Sequence, residues 1–125
     1  MRYLIDTNIV IYYFNGLIAD EQIHALLAQD FTLSVITKIE FLGWSRFATD
    51  VALYEKAKQF IGYAQVLGIT DEIAAKTIEL RQHFKTKTPD AIIAATALVN
   101  GLSVVTNNTS DFSRLGIKTV SISLQ

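Results

Sequence analysis

Four carboxylates stand at positions where a globular fold does not need charge for solubility: Asp6, Glu40, Asp90 and Asp111. Divalent magnesium and manganese prefer hard oxygen ligands, and acids on several elements of one fold can supply them. No zinc-type set competes, because the chain has no cysteine and its two histidines are isolated in the sequence. The acids therefore predict a carboxylate site for Mg²⁺, with Mn²⁺ as the alternative.

Glu40 carries the sharpest of these signals. It shares a predicted helical stripe with residues at i−4, i+3 and i+7, namely Ile36, Gly43 and Phe47. A lone carboxylate on such a face should cost several kcal/mol unless it is paired or bound to a cation. The structural alternative is that Glu40 reaches solvent or pairs with Lys38 or Arg46.

Each of the other three acids also has a structural interpretation. Asp6 could cap the helix that follows it, and Asp90 could be a first-turn acid favoured by the helix dipole. Asp111 could belong to an ordinary turn. These separate explanations do not account for all four acids falling near one predicted edge of a sheet.

The elements that position the acids follow from the hydrophobic pattern. Short apolar runs predict strands at residues 3–5, 31–33, 65–67, 104–105 and 119–120. Helical spacing predicts helices at residues 8–15, 21–29, 35–47, 51–63, 71–84 and 89–100. This alternation predicts an α/β fold with a mostly parallel central sheet flanked by helices on both faces, a three-layer α/β/α arrangement.

The residues that follow parallel strands share one edge of the sheet, where ligands bind. Asp6 and Asp111 should lie at that edge, together with Ser34 and Thr106.

Two helix starts are marked by capping residues. Thr70 precedes the helix predicted at residues 71–84, and Thr88 precedes Pro89 at the start of the next helix. Residues 91–99 are apolar on nearly all sides, so we expect that helix to be buried.

The bulk composition limits the classes of protein to consider. With 125 residues, 50% of them hydrophobic and 18% charged, the chain is expected to form a single domain over residues 1–125. The lack of cysteine excludes a disulfide scaffold and fits the cytoplasm, the expected location. An acid interrupts the first apolar run, and no run reaches the ~20 residues of a membrane span, so neither a signal peptide nor a membrane partner is expected. The net charge of −1 means that any nucleic-acid surface must be local.

Four segments, in chain order, resemble the motifs of the PIN-domain family, and most closely those of VapC-type toxins. They are Asp6-Thr7-Asn8, Ser34-x-x-Thr37-x-x-Glu40, Thr88-Pro89-Asp90-Ala91-x-Ile93-Ala94-Ala95-Thr96-Ala97 and Val105-Thr106-Asn107-Asn108-x-x-Asp111-Phe112. The resemblance spans nearly the whole chain, and the third segment is its strongest part.

The resemblance implies a catalytic metal pocket formed by the four acids Asp6, Glu40, Asp90 and Asp111. It also implies four supporting residues: Thr7, Asn8, Thr106 and Asn108. Of these, Thr106 or Asn108 could orient a metal-bound water. Asn108 stands where some relatives carry an acid, so whether Asp111 or Asn108 completes the pocket stays open.

The function implied by the resemblance is a Mg²⁺-dependent endoribonuclease, the toxin of a type II toxin–antitoxin pair. Its substrate would be a structured RNA such as tRNA or rRNA. The implied partners are a small antitoxin protein and a second copy of the chain, in a homodimer that the antitoxin could extend to a heterotetramer or larger assembly. Aromatic residues on the first and third predicted helices could leave an exposed patch for a partner: Tyr12, Tyr13, Phe14, Phe41, Trp44 and Phe47.

RNA phosphates require cations near the acids. Five residues are candidates for contacts with the RNA backbone: His83, Lys85, Lys87, Arg46 and Arg114. The first three alternate along the segment just before Asp90. The alternative is a solvated charged loop.

Two other functions remain to be weighed. A haloacid-dehalogenase-type phosphatase would also place an acid after the first strand, but it requires a second acid where Asn8 stands. A catalytically degenerate PIN scaffold that only binds a partner would not need all four acids.

Overall fold

The computed structural model describes residues 2–18 and 20–122. Its strands are β1 Tyr3–Ile5, β2 Thr32–Ser34, β3 Gln65–Leu67, β4 Ser103–Thr106 and β5 Thr119–Ser121. Its α-helices are α1 Thr7–Phe14, α2 Glu21–Gln29, α3 Val35–Leu42, α4 Val51–Gly62, α5 Asp71–His83, α6 Thr88–Asn100 and α7 Thr109–Ser113, and a 3₁₀ turn spans Ser45–Ala48. Within these residues, no helix has the length and apolar character that crossing a membrane requires.

Every strand pair in the sheet layer is parallel. The order β1-β4-β5 forms one hydrogen-bonded sheet and β2-β3 forms another. β1 runs beside β2, and the two are tied by Asp30, whose carboxylate accepts hydrogen bonds from the backbone N–H of Arg2 (2.7 Å) and Tyr3 (3.2 Å). The predicted mostly parallel sheet is confirmed.

Alternate side chains of the central strands pack into two separate hydrophobic clusters. Leu4 and Val104 belong to one cluster, with α5, α6 and α7, whereas Ile5 and Val105 belong to the other, with α1, α2 and α4. All four of these side chains are fully buried. Burial of each contributes roughly 1.5–3 kcal/mol. Helical layers therefore cover both faces of the sheet, which confirms the three-layer prediction.

α6 is the most deeply buried helix beside the sheet. Its alanines and Ile93 are buried, and the buried Thr96 satisfies its hydroxyl by donating to the Ile92 carbonyl at 2.7 Å. Gly101 ends the helix in the left-handed region, at φ 66°, which glycine adopts without steric cost. The predicted burial of residues 91–99 holds for six of the nine residues, whereas Ile92 and Val99 are half-buried and Leu98 is exposed.

The predicted helix at residues 35–47 is wrong as one element. α3 ends at Leu42, Gly43 caps it, and the backbone of Trp44 is extended before the 3₁₀ turn begins. Glycine is a weak helix former, and here it ends the helix although the apolar pattern continues to the buried Phe47.

Three further predictions need correction. Thr88 is the first residue of α6 and not its N-cap, since Lys87 occupies that position and no side chain caps the helix. Phe84 caps α5 in extended conformation and is exposed, so it does not continue the helix. Asp111 lies in α7, although the sequence left it as a candidate turn residue. By contrast, Thr70 caps α5 as predicted, accepting from the N–H of Ile73 at 3.1 Å.

Candidate active site

A cleft of about 700 Å³ opens at the carboxyl edge of the sheet. It lies where β1 and β4 end and where α1, α6 and α7 begin, so several backbone turns bring short polar side chains to one place. Its walls are formed by Asp6, Asn8, Glu40, Arg81, Lys85, Thr86, Lys87, Pro89, Asp90, Asn108, Asp111, Phe112 and Arg114. All four acids singled out from the sequence are among them.

Asp6 is the anchor of this cleft. Asp6 is only 4% exposed, and it is the N-cap of α1, with its backbone in extended conformation. One carboxylate oxygen accepts from the N–H of Thr7, and the other accepts from the hydroxyl of Thr106, each at 2.8 Å. Asp6 therefore both caps α1 and lines the cleft, with each of its carboxylate oxygens held by a hydrogen bond.

Glu40 reaches the cleft through Thr7. The Thr7 hydroxyl donates to Glu40 Oε1 at 2.8 Å, and it lies 3.0 Å from the hydroxyl of Thr37. Because a hydroxyl has one proton, Thr7 accepts from Thr37 while it donates to Glu40. Thr37 is fully buried and one helical turn before Glu40, so it fixes Thr7 from inside the fold.

Asp111 is linked to Asp6 through Asn108 and Thr106. Asn108 donates its side-chain amide to Asp111 Oδ2, and its backbone N–H donates to the Thr106 hydroxyl at 2.9 Å. Since Thr106 in turn donates to Asp6, one continuous chain of hydrogen bonds runs from Asp111 through Asp6 to Glu40. Three of the four acids belong to this chain.

Asp90 is the fourth acid and lies in the first turn of α6. Partial burial is the main reason why its pKa is raised, and the negative charges of Asp111 and Glu40 raise it further. The positive charges of Lys87 and Arg114 partly offset this rise. The pKa of Asp90 therefore depends on both the acids and the cations of the cleft.

The pKa of Asp6 is also displaced upward. Burial, the largest cause, raises it to about 6, and the charges of Asp90 and Glu40 add to the rise. The hydrogen bonds from Thr106 and Thr7 work in the opposite direction by stabilising the carboxylate. Repulsion among the acids thus contributes to the raised pKa of both Asp6 and Asp90.

The apolar environment predicted for Glu40 is wrong. Glu40 is exposed and lines the cleft, and Gly43 on the same stripe is exposed as well, whereas Phe47 at the end of the stripe is buried. The alternative pairing with Arg46 does not occur either, since Arg46 pairs with Asp50 at 3.8 Å. The side chain nevertheless lines the cleft, held by Thr7.

The donor set suits a hard divalent cation, although its members are spread around the cleft. Among residues 2–18 and 20–122, no three Asp, Glu, His or Cys side chains come close enough together to hold a metal ion. Glu40 and Asp111 are nevertheless close enough to Asp90 for their negative charges to raise its pKa. Asp6, Glu40, Asp90 and Asp111 could hold a cation after rotation of the more exposed side chains, and the available oxygens fit Mg²⁺ or Mn²⁺.

The predicted supporting residue Asn8 and the predicted sheet-edge residue Ser34 occupy different places. Asn8 lines the cleft, but the hydrogen bonds to Asp6 come from Thr7 and Thr106. Ser34 is fully buried at the sheet edge, where its hydroxyl caps α3 by accepting from the N–H of Ile36 at 3.2 Å. It does not line the cleft.

The cations divide between the cleft and the outer surface. Lys85, Lys87 and Arg114 line the cleft, and Arg114 donates to the Lys85 carbonyl at 2.7 Å. His83 does not line it, because it is still part of α5 and the expected alternation holds only for extended chain. Arg46 is also outside, over the ring of Trp44.

Arg81 was not singled out from the sequence, and Thr37 stood in one of the four motifs without an assigned role. Arg81 lines the cleft from the last turn of α5. Because Lys85 lies beyond the end of that helix, helical spacing from Lys85 gives no signal for Arg81. Thr37 is the buried partner of Thr7. Its position three residues before Glu40 is the signal that was available.

The fold and its cleft are similar to known proteins. The family model described as PIN domain matches residues 3–118. Comparison with curated protein sequences gave no match. Among solved structures, the chain is 34% identical to a chain of a toxin–antitoxin complex from Klebsiella pneumoniae, covering 95% of this chain and 96% of that one with a TM-score of 0.75.

Two further structures have a similar fold. DNA-bound VapBC from Salmonella typhimurium contains a chain that is 25% identical, with 97% and 98% coverage and a TM-score of 0.82. VapBC2 from Rickettsia felis, bound to a fragment of promoter DNA, contains a chain that is 21% identical, with 98% and 100% coverage and a TM-score of 0.81. At 21% identity, the similarity to the Rickettsia felis chain supports the fold alone.

Proposed function

Because the chain belongs to the PIN domain family, we propose that its acidic cleft hydrolyses phosphodiester bonds in RNA as a metal-dependent endoribonuclease. The observation that carries the proposal is the hydrogen-bond chain that ties Asp111, Asp6 and Glu40 together across three elements of the fold. A set of acids needed only for solubility or capping would have no reason to be linked in this way.

The proposed catalytic and metal-binding residues are Asp6, Glu40, Asp90 and Asp111. A divalent cation bound among them would lower the pKa of a bound water and offset the charge that develops on the phosphate oxygens. Asp6 supplies a carboxylate whose two oxygens are already oriented. Thr7 holds Glu40, and Asn108 holds Asp111, so the more exposed acids are also directed toward the cleft.

Basic side chains of the same cleft supply what the substrate backbone needs. These residues, called the cationic wall, are Arg81, Lys85, Lys87 and Arg114. They would bind phosphates on either side of the cleaved bond, and they lie close enough to Asp90 that two of them affect its pKa. Because the net charge of the chain is −1, attraction of RNA depends on local cations such as these.

The proposed substrate is a structured RNA such as tRNA or rRNA, cleaved in an exposed loop. Proteins recognise specific RNA sequences mostly in single-stranded loops, where bases and backbone are accessible. An open cleft with a cationic wall suits such a loop better than it suits a continuous duplex. The proposed site of action is accordingly the cytoplasm.

We also infer a toxin role and a small antitoxin partner. The support is the 34% identity to a chain of a toxin–antitoxin complex over almost the whole length of both chains. An arginine from a partner could enter among the acids, where a bidentate guanidinium would compensate their charge in place of a metal. A homodimer is proposed as the unit that binds the antitoxin.

The proposal is tested with the purified chain, a panel of structured RNAs, and Mg²⁺ or excess chelator. Cleavage is expected with Mg²⁺ or Mn²⁺, with loss of activity in chelator and recovery when Mg²⁺ is returned. Hydrolysis of p-nitrophenyl phosphate without RNA cleavage would favour the phosphatase. No cleavage of any RNA, with tight binding of an antitoxin, would favour a degenerate interaction module.

A further inference from the structure

An apolar groove of about 330 Å³ adjoins the acidic cleft. It is lined by Ile11, Phe14, Asn15, Glu40, Phe41 and Trp44. Glu40 lines both the groove and the cleft, so the two cavities share a wall. Any polymer that crosses the cleft beside Glu40 therefore passes the mouth of the groove.

The floor of the groove is a packed aromatic cluster. The rings of Phe14 and Phe41 meet edge to face, with centroids 5.2 Å apart, and both contact Phe47 underneath. Phe41 and Phe47 are buried, so this floor is held by the core. Such a surface changes little when a flat apolar group binds to it.

Trp44 forms the exposed side of the groove. It is 44% exposed, its ring meets Phe47 edge to face at 5.3 Å, and the Arg46 guanidinium lies 5.8 Å from its centroid. Of the six aromatic residues on the first and third predicted helices, Trp44 is the exposed one, whereas the others are buried or half-buried. The expected broad aromatic patch is thus a single exposed indole beside a narrow groove.

The charge distribution separates the groove from the cationic wall. The cations of the cleft come from α5, the segment before α6, and the end of α7, whereas Glu40 is the charged residue among those lining the groove. A phosphate would be repelled by Glu40, but a neutral aromatic group would not. Asn15, at the end of α1, offers an amide that can both donate and accept hydrogen bonds.

From this geometry, we propose that the groove binds one unstacked base of the RNA, next to the phosphodiester held in the cleft. The inference rests on the proposed ribonuclease function and names a subsite for it. Bases of single-stranded nucleic acids stack on aromatic side chains, while cations follow the backbone. The groove and the cationic wall supply these two surfaces, and Glu40 lines both the groove and the cleft.

Trp44 is the only tryptophan of the chain, so its fluorescence reports on this groove alone. The Asp90→Asn chain, in Mg²⁺, is mixed with a single-stranded RNA oligomer that the wild type cleaves. Quenching of tryptophan fluorescence is expected on binding. An oligomer with abasic sites at the nucleotides flanking the cleaved bond should bind more weakly and leave the fluorescence unchanged.

Variants separate stacking from a structural effect. In the Asp90→Asn background, Trp44→Ala should weaken RNA binding roughly 5- to 150-fold, whereas Trp44→Phe should retain most of the affinity. In the otherwise wild-type enzyme, Trp44→Ala should raise KM with little change in kcat. Tyr63→Ala, which removes an aromatic residue that is 84% exposed and outside the groove, is the matched control and should leave KM unchanged.

The outcomes distinguish this inference from the ribonuclease proposal. If the wild type cleaves RNA but the oligomer leaves the fluorescence unchanged and Trp44→Ala has wild-type KM, the base subsite is wrong and the proposed function stands. A fluorescence response to an antitoxin peptide or to self-association, without a response to RNA, would overturn the subsite in favour of a protein-docking groove. Absence of RNA cleavage by the wild type would remove the function on which the inference depends.

Discussion

The hydroxyl of Thr106, at the end of β4, donates a 2.8 Å hydrogen bond to the carboxylate of Asp6, which directly follows β1 and lies 100 residues earlier in the chain. Parallel pairing of Ile5 with Val105 brings these two residues side by side. This bond links the N-terminal and C-terminal parts of the site. On one side, Thr7 hydrogen-bonds to both Asp6 and Glu40. On the other side, Asn108 hydrogen-bonds to both Thr106 and Asp111.

Thr106→Val should disconnect the two parts of the site. The buried Asp6 would lose one donor, which should lower the free energy of unfolding by about 1–3 kcal/mol and raise the pKa of Asp6 further. RNA cleavage should fall as well. Thr77→Val is the matched control, because Thr77 is a buried threonine of α5 outside the cleft whose hydroxyl bonds to the Ile73 carbonyl. Equal cleavage rates in both variants, measured beside chemical denaturation, would show that the Thr106 bond does not organise the site.

The raised pKa of Asp6 predicts a specific pH dependence of stability without metal. Between an unfolded pKa near 3.8 and the folded value of about 6, the folded chain holds a proton that the unfolded chain has released. The stabilising contribution of Asp6 is therefore present at low pH and is lost as the pH rises through about 6. Relative to Asp6→Asn, the wild type should lose up to about 3 kcal/mol of unfolding free energy between pH 4 and 7.

Denaturation of both proteins in chelator across this range measures the difference directly. The pKa of Asp30 is lowered, so its effect on the unfolding free energy has the opposite pH dependence. Both proteins contain Asp30, and subtracting one unfolding free energy from the other therefore removes its contribution. A difference that stays flat, or that grows in favour of the wild type with rising pH, would contradict the assignment of a repelled and buried Asp6.

Glu40→Gln tests whether Glu40 belongs to a cation site. The amide oxygen can still accept from Thr7, and removal of the charge relieves the repulsion that Glu40 exerts on Asp6 and Asp90. In chelator, the variant should melt at or above the wild-type temperature. With Mg²⁺ at about ten times its Kd, the wild type should gain roughly 1.4 kcal/mol and the variant less. Glu72→Gln, an exposed carboxylate outside the cleft, should respond to Mg²⁺ as the wild type does. A lower melting temperature in chelator with a full Mg²⁺ response would remove Glu40 from the site.

The cationic wall should determine the salt dependence of RNA binding. Arg81→Ala and Lys85→Ala should each weaken binding and reduce the slope of log affinity against log salt by about 0.7, the value for one phosphate contact on a single strand. His83→Ala and Lys56→Ala remove exposed basic side chains outside the cleft and serve as controls. Titrations at several salt concentrations in the Asp90→Asn background give these slopes. Unchanged slopes for the first pair would place the RNA elsewhere.

Much of the architecture could be predicted because its signals are local. Short apolar runs located the strands, helical spacing located most helices, and the apolar run after Pro89 indicated the buried α6. Asp6 could be placed at the sheet edge because it directly follows a strand. The meeting of Asp6 with Thr106 followed from parallel pairing, which the alternation of elements had predicted.

What could not be predicted depends on how separate elements face one another. A helical stripe shows that Glu40 shares a side with Ile36, but only the packing of α3 beside α1 decides that this part of the stripe opens into a cleft. Similarly, the end of α5 determines that Arg81 lines the cleft while His83 does not. The break at Gly43, which places Trp44 beside the groove, had no signal beyond the glycine itself.

The central claim is that the four acids of the cleft act together in RNA hydrolysis, and Asp90→Asn tests it most directly. Asp90 lies outside the hydrogen-bond chain that links the other acids, so its replacement should leave the fold and that chain intact. The decisive measurement is the single-turnover rate of RNA cleavage in saturating Mg²⁺ for the wild type, Asp90→Asn and the surface control Glu72→Gln. A rate at least about 100-fold lower in Asp90→Asn, an effect of roughly 2.7 kcal/mol, with Glu72→Gln at the wild-type rate, is expected. A wild-type rate in the folded Asp90→Asn protein would contradict the account.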